Sequence, residues 1–202
     1  MTRSASAQNL LTNAEFDSAN GLSGWIWLPD ATLTGPDDPG AIVCSGASDC
    51  GRMQYSADEC CTIPNSGSAK TTSSFFYREG IMQCVIAIVP GSDYDFGAWM
   101  RITSTPGFQP GLPTAQVFWY PTADCTGSAI SGNQDFALTT SSNWSRSGVS
   151  QVTAPMGTQS ARFLLIAGPV GLNGSYVDME FDSTYFGPSG SVPVKLQSFS
   201  IE

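Results

Sequence analysis

Apolar residues in this chain recur at every second position rather than every third or fourth. In Asp93–Ile102, D-Y-D-F-G-A-W-M-R-I, the side chains of Tyr94, Phe96, Ala98, Met100 and Ile102 share one face of an extended strand, and Asp95, Gly97, Trp99 and Arg101 share the other. In residues 175–186, Val177, Met179 and Phe181 alternate with Asp178, Glu180 and Asp182, which puts three carboxylates on one side. The same reading predicts strands over residues 41–44, 74–77, 80–89, 115–120, 143–153 and 160–168. Turn sequences such as V-P-G-S at 89–92 and D-C-T-G at 124–127 separate them, and no segment combines a helical period with capping residues. The pattern predicts an all-β protein, a two-sheet antiparallel β-sandwich in which each sheet buries one face. The stretch T-S-T-P-G-F-Q-P-G-L-P at 103–113 reads as a loop at the rim, and residues 187–202 as a final strand or the start of a linker.

A chain of 202 residues is long enough for a core that hides roughly 70% of the unfolded surface. No internal repeat or change of composition divides it, so residues 9–202 are expected to form a single β-sandwich domain. Residues 1–8 read as a disordered tail or the remnant of a signal peptide, with S-A-S-A-Q at 4–8 resembling the end of a cleavage site. No run of about 18 apolar residues occurs, so membrane insertion is not expected. The 8 Lys and Arg against 17 Asp and Glu give a formal charge of −9. A nucleic-acid groove needs a positive footprint that this composition lacks.

Six cysteines, even in number and dispersed, point to disulfides and to a secreted or cell-surface setting. The absence of histidine and of any C-x-x-C argues against zinc. Cys44 and Cys50 flank a small, flexible S-G-A-S-D that suits a short bridged loop, whereas the adjacent Cys60 and Cys61 are expected to bridge to two different partners.

Three segments resemble a carbohydrate-binding module of the galactose-binding-like jelly-roll group, which includes cellulose-, xylan- and laminarin-binding modules. They are N-L-L-T-N-A-E-F-D at 9–17 with G-L-S-G-W at 21–25, V-P-G-S-D-Y-D-F-G-A-W at 89–99, and Y-V-D-M-E-F-D-S-T-Y-F at 176–186. They resemble the group's first strand, its P-G-x-x-Y-x-F-x-x-W strand and its closing strand, in the expected order over nearly the whole chain. Glu180 departs from the consecutive aspartates of many relatives, and the cysteine-rich stretch 44–61 looks like an insertion. The resemblance implies a jelly roll, a polysaccharide or glycan partner, and tethering to a catalytic or surface domain in a longer protein. It also implies a structural Ca2+ held by the side chains of Asp17 and Asp178, with carbonyls from residues 37–40.

A sugar ring presents an apolar face edged by hydroxyls, so a binding site wants a flat exposed aromatic beside fixed polar groups. Trp99 with Arg101, Trp119, and Gln83 inside an otherwise apolar strand are the candidate contacts. Burial in the core is the competing expectation for each aromatic, and a hydrogen-bonded core position is the competing one for Gln83. Without histidine, no Ser-His-Asp or Cys-His site is available, so the domain is read as non-catalytic. The alternatives are an adhesion or structural module with a non-glycan ligand, and a glycoside-cleaving domain using a carboxylate pair from Asp178, Glu180 and Asp182.

Overall fold

The computed structural model describes residues 8–29, 41–45, 49–61, 63, 65–74, 79–103, 113–136, 142–167 and 176–190. Twelve strands lie among them: β1 (Ile26–Leu28), β2 (Ile42–Val43), β3 (Asp49–Cys50), β4 (Met53–Ser56), β5 (Ser68–Ser74), β6 (Glu79–Ile86), β7 (Asp93–Ile102), β8 (Pro113–Tyr120), β9 (Ser131–Phe136), β10 (Ser145–Thr153), β11 (Ser160–Ala167) and β12 (Tyr176–Pro188). They pair into two six-stranded sheets, β2-β1-β6-β11-β8-β9 and β10-β7-β12-β5-β4-β3, and the described pairings are antiparallel. This is the sandwich that the alternation predicts.

The strands that alternate most cleanly are the ones legible in advance. β7 buries Tyr94, Phe96, Ala98, Met100 and Ile102, and facing β11 contributes Ala161, Phe163, Leu165 and Ala167 to the same core. Aromatic rings fill the space between the sheets. Tyr94 stacks on Phe186 at 5.4 Å between centroids, and Trp119 tilts against both at 5.7 and 5.9 Å. Offset and tilted contacts of this kind add to area burial through the ring quadrupoles. Strands β1, β3, β4 and β9 lie outside the predicted set. The first three are too short to show a period, and S-G-N-Q-D-F in β9 is a polar edge strand. Of the predicted strand 74–77, Ser74 ends β5, while residues 75–77 lie outside the described residues.

Two β-bulges interrupt the second sheet, one on each neighbour of β7. On β10 the register shifts between Val149 and Val152, and on β12 between Asp182 and Tyr185. Gln151 and Ser183 adopt positive φ there, at 56° and 43°. Each bulge inserts an extra residue and sharpens the local twist. On β12 the insertion also reverses the alternation. Phe181 points inward and Asp182 outward, but beyond the bulge Tyr185 pairs with Gly97 on the outer side and Phe186 returns to the core.

Three disulfides join Cys44 to Cys50, Cys60 to Cys61, and Cys84 to Cys125. The short 44–50 bridge fits the flexible loop between its cysteines. The expectation of separate partners for Cys60 and Cys61 is corrected: the two neighbours bond to each other. The turn that carries them is folded tightly by Glu59, whose Oε2 accepts the N–H groups of Cys61 at 3.2 Å and Ile63 at 2.9 Å.

Candidate functional site

The outer face of the sheet built on β7 and β12 should be a solvated surface if alternation alone decided it. Instead Asp95, Glu180, Asp182 and Ser183 are buried there. Register places these side chains in rows across the strands. Arg101 pairs with Glu180, which pairs with Lys70. In the next row Arg146 pairs with Trp99, which pairs with Asp182. The row after that runs Gly148, Gly97, Tyr185.

The first row is an ion network. Arg101 donates from Nε to Glu180 Oε2 at 2.8 Å, and its terminal nitrogen reaches both Glu180 and Asp58. Its guanidinium also lies 4.5 Å above the Trp144 ring. Burial works against the charge, but the carboxylates of Asp58 and Glu180 outweigh it and hold the Arg101 pKa above its ordinary value. Lys70 Nζ completes the row at 3.5 Å from Asp178 and 4.0 Å from Glu180.

The second row is partly open. A cleft lies over it and the glycine row, lined by Asp95, Gly97, Trp99, Arg146, Ser183 and Tyr185 among others. Gly97 and Gly148 form its floor, with no side chains to fill it. Trp99 and Arg146 stand at one end and Asp95 at the other. Asp95 is fixed by donors on three sides: the Gln151 N–H at 2.8 Å, Ser189 Oγ at 2.7 Å and the Gly190 N–H at 3.2 Å. It therefore holds the β10 bulge against the end of β12. Trp99 is half-buried, and its indole N–H has no hydrogen-bond partner among the described residues.

Asp182, beside Trp99, is completely buried. Its Oδ2 accepts the Cys60 N–H at 2.8 Å and its Oδ1 accepts the Ser183 N–H at 2.5 Å. Burial pushes its pKa up to about 7, against the two N–H donors, and the charges of Glu15 and Glu59 add to the rise.

Of the residues singled out in the sequence, Trp99 and Arg101 come together on this face, but in different roles. Trp99 lines the cleft, whereas Arg101 is engaged by Glu180, Asp58 and Trp144. Trp119 is fully buried in the core, with Nε1 donating to Asn133 Oδ1 at 3.1 Å, and it presents no ring face to solvent. Gln83 is buried beside Ile81 and Val85, and its amide holds Thr12 by donating to the carbonyl at 2.6 Å and accepting the N–H at 3.0 Å. It docks the N-terminal segment, so the competing expectation for it holds. Arg146, Gly148, Ser183 and Tyr185 carry no local signal in the sequence that marks them as cleft residues. Pairing Arg146 with Trp99 needs the β10–β7 register, which the sequence alone does not supply.

The calcium expectation is overturned. Among the described residues no group of three or more Asp, Glu, His or Cys side chains is placed to hold a metal ion. Asp178 faces Lys70, and the other β12 carboxylates are met by Arg101 and by backbone N–H groups. Asp17 is exposed in a turn, where its carbonyl accepts the Asn20 and Gly21 N–H groups at 2.8 and 2.7 Å. Residues 37–40 lie outside the described residues.

No protein-family profile matches the chain, and no curated protein matches its sequence. Solved structures do match. The fold is a jelly-roll sandwich. It is similar to the enzymatically active domain of bacteriophage CBA120 tailspike protein 4, with a TM-score of 0.59 and 14% identity, over 89% of this chain and 21% of that one. The chain thus spans about a fifth of that protein. It is also similar to TmCBM61 in complex with β-1,4-galactotriose, with a TM-score of 0.53 and 12% identity over 90% of this chain and 99% of that one. A third likeness is to the Stig cyclase Fisc from Fischerella sp. TAU, solved with an indole compound, at a TM-score of 0.52 and 16% identity over 92% and 100% of the two chains. At these identities the likeness is one of fold. Among the described residues no helix is long and apolar enough to cross a membrane.

Proposed function

We propose that this jelly roll is a non-catalytic carbohydrate-binding module and that its ligand, a neutral glycan, lies in the cleft over Gly97 and Gly148. The observation that carries the reading is the glycine-floored cleft with Trp99 at one end among fixed polar groups. A half-buried indole offers the apolar face of a sugar ring a flat partner. Arg146, Ser183 and the ordered Asp95 offer its hydroxyls charged and neutral hydrogen-bonding groups without requiring a loop to order first. The likeness to TmCBM61, which was solved with a galactotriose, makes β-1,4-galactan the first polymer to try. Three disulfides favour a secreted protein.

Asp182, with a pKa raised to about 7 by burial, bears on the glycosidase reading. Both of its oxygens are occupied by backbone N–H groups and it has no exposed surface, so it serves as an anchor rather than a proton donor to substrate. An adhesion role would draw on a different feature, the apolar depression around Leu10, Ile26, Val43 and Ile86, where Val43 and Ile86 are exposed.

Affinity electrophoresis in gels containing galactan, β-glucan, xylan or mannan tests the proposal. Retardation by one polymer, abolished by Trp99→Ala, is the expected result. Absence of retardation by any of them overturns the glycan reading and shifts weight to adhesion.

A further inference from the structure

One part of this face does not come from the sheet. The turn at residues 58–61 crosses the outer side of β12 and is pinned to it at several points. Asp58 pairs with Arg101, the Cys60 N–H meets Asp182 Oδ2 at 2.8 Å, and Cys60 Sγ lies 3.5 Å from Ser183 Oγ. Ser183 also donates to Glu15 Oε2 at 2.7 Å, so its position is set from two sides. Ser183 lines the cleft, and Asp182 is the register partner of Trp99. The Cys60–Cys61 disulfide is therefore seated over β12 next to Ser183, just outside the cleft that Ser183 lines from β12 and Trp99 from β7. Both cysteines remain half-buried rather than enclosed.

Stability does not account for this bridge. A disulfide stabilises chiefly by restricting the unfolded chain, and the benefit grows with the loop it closes. Cys84–Cys125, with a separation of 41, is of the size that contributes about 4 kcal/mol on that model. Cys60–Cys61, with a separation of 1, closes no loop. What it does create is a small rigid ring, closed through the peptide bond between the two residues, whose sulfurs are polarizable, apolar and already ordered. Such a surface loses no rotamer freedom when a ligand packs on it.

We propose that the Cys60–Cys61 ring, beyond the Ser183 rim of the cleft, is a second apolar contact for the ligand, a sulfur wall that packs against the C–H face of a pyranose unit next to the one on Trp99. The inference rests on the carbohydrate reading and extends it to a ligand of at least two units.

Calorimetric titration with an oligosaccharide series of the retarding polymer separates the two ideas. Wild-type protein gains affinity when the ligand lengthens to reach the sulfur wall. The double variant Cys60→Ser/Cys61→Ser is expected to bind the longer ligand roughly three- to tenfold more weakly and to lose the gain with length. Because that variant could fail to fold, the wild-type protein supplies an independent readout. The Cβ resonances of Cys60 and Cys61 should shift on saturation with the longer oligosaccharide and stay in place with the monosaccharide. Unchanged resonances, or a folded double variant with wild-type affinity, overturn the sulfur wall while Trp99→Ala still abolishes binding. If Trp99→Ala binds as tightly as wild type, the cleft itself is the wrong site, and both proposals fall.

Discussion

Gly97 and Gly148 are register partners on β7 and β10, and neither leaves room for a methyl group. A Cβ on Gly148 would stand 2.4 Å from the Phe96 carbonyl oxygen, and one on Gly97 would stand 2.4 Å from the Ser147 carbonyl oxygen. Both obstacles are backbone atoms of a paired strand, so relief requires the strands to separate. Gly148→Ala is therefore expected to cost about 1–3 kcal/mol and to weaken ligand binding in parallel. Urea denaturation with the titration run alongside checks both, and a variant of unchanged stability would show that the pair yields more easily than its geometry implies.

Trp99 and Trp119 lie on the second and first sheets, and substitution should separate their roles. Trp119→Ala removes a fully buried ring that touches Tyr94 and Phe186, and is expected to cost about 3–5 kcal/mol. Trp99→Ala is expected to cost about 1 kcal/mol or less while removing glycan binding. Thermal melts with affinity gels distinguish the two, and equal losses of stability would count against the division of roles.

Arg101 neutralises Glu180, whose side chain is 4% exposed. Arg101→Met keeps much of the packing but withdraws the charge, leaving Glu180 with the Lys70 ammonium 4.0 Å away. Losing one partner of a buried pair costs about 3 kcal/mol, and Lys70 should recover part of that. The double substitution Arg101→Met/Glu180→Gln should be more stable than the single one, which chemical denaturation would reveal.

Asp182 gives the fold a pH dependence of definite sign. Its folded pKa of about 7 lies above the ordinary aspartate value, so its contribution is complete below about pH 4 and is lost as pH rises through 7. Roughly 4 kcal/mol is the ceiling for that loss. Glu79, buried against Arg52 and Thr71, is shifted upward by burial as well and acts in the same direction. Melting temperature should fall from about pH 5 to pH 8, and Asp182→Asn should flatten much of the slope. A slope unchanged in that variant would place its origin elsewhere.

What the sequence disclosed, and what it withheld, follows from the range over which each signal acts. Alternation in β7 is a local property, and it correctly sorted Tyr94, Phe96, Ala98, Met100 and Ile102 from Trp99 and Arg101. The fate of each outward side chain depends on partners far away in the chain. Arg101 is satisfied by Glu180 and Asp58, Gln83 by Thr12, and Asp178 by Lys70. None of these pairings has a local signature, which is why alternation predicts the sandwich but neither the partners of Arg101 and Gln83 nor the ion pair that stands where calcium ligation was expected of Asp178. Adjacent cysteines in most sequences would suggest two separate bridges, and only the turn around Glu59 brings Cys60 and Cys61 to each other.

The bulge at Ser183 sets an unusual rule for length changes in β12. A strand without it would carry strict alternation from Asp182 onward, sending Phe186 out to water and Tyr185 into the aromatic cluster beside Tyr94 and Trp119. The hydroxyl of Tyr185 would then be stranded among hydrocarbons, and Trp119 would lose a ring it leans on. Deleting the one surplus residue would straighten the strand yet leave Tyr185 opposite Gly97 and Phe186 opposite Phe96, whereas a deletion elsewhere in β12 that keeps the bulge would shift the pairing of every residue on one side of it. Length variation along β12 should therefore be absorbed at residues 183 and 184, where the ladder already carries one residue more than it pairs, and nowhere else along the strand.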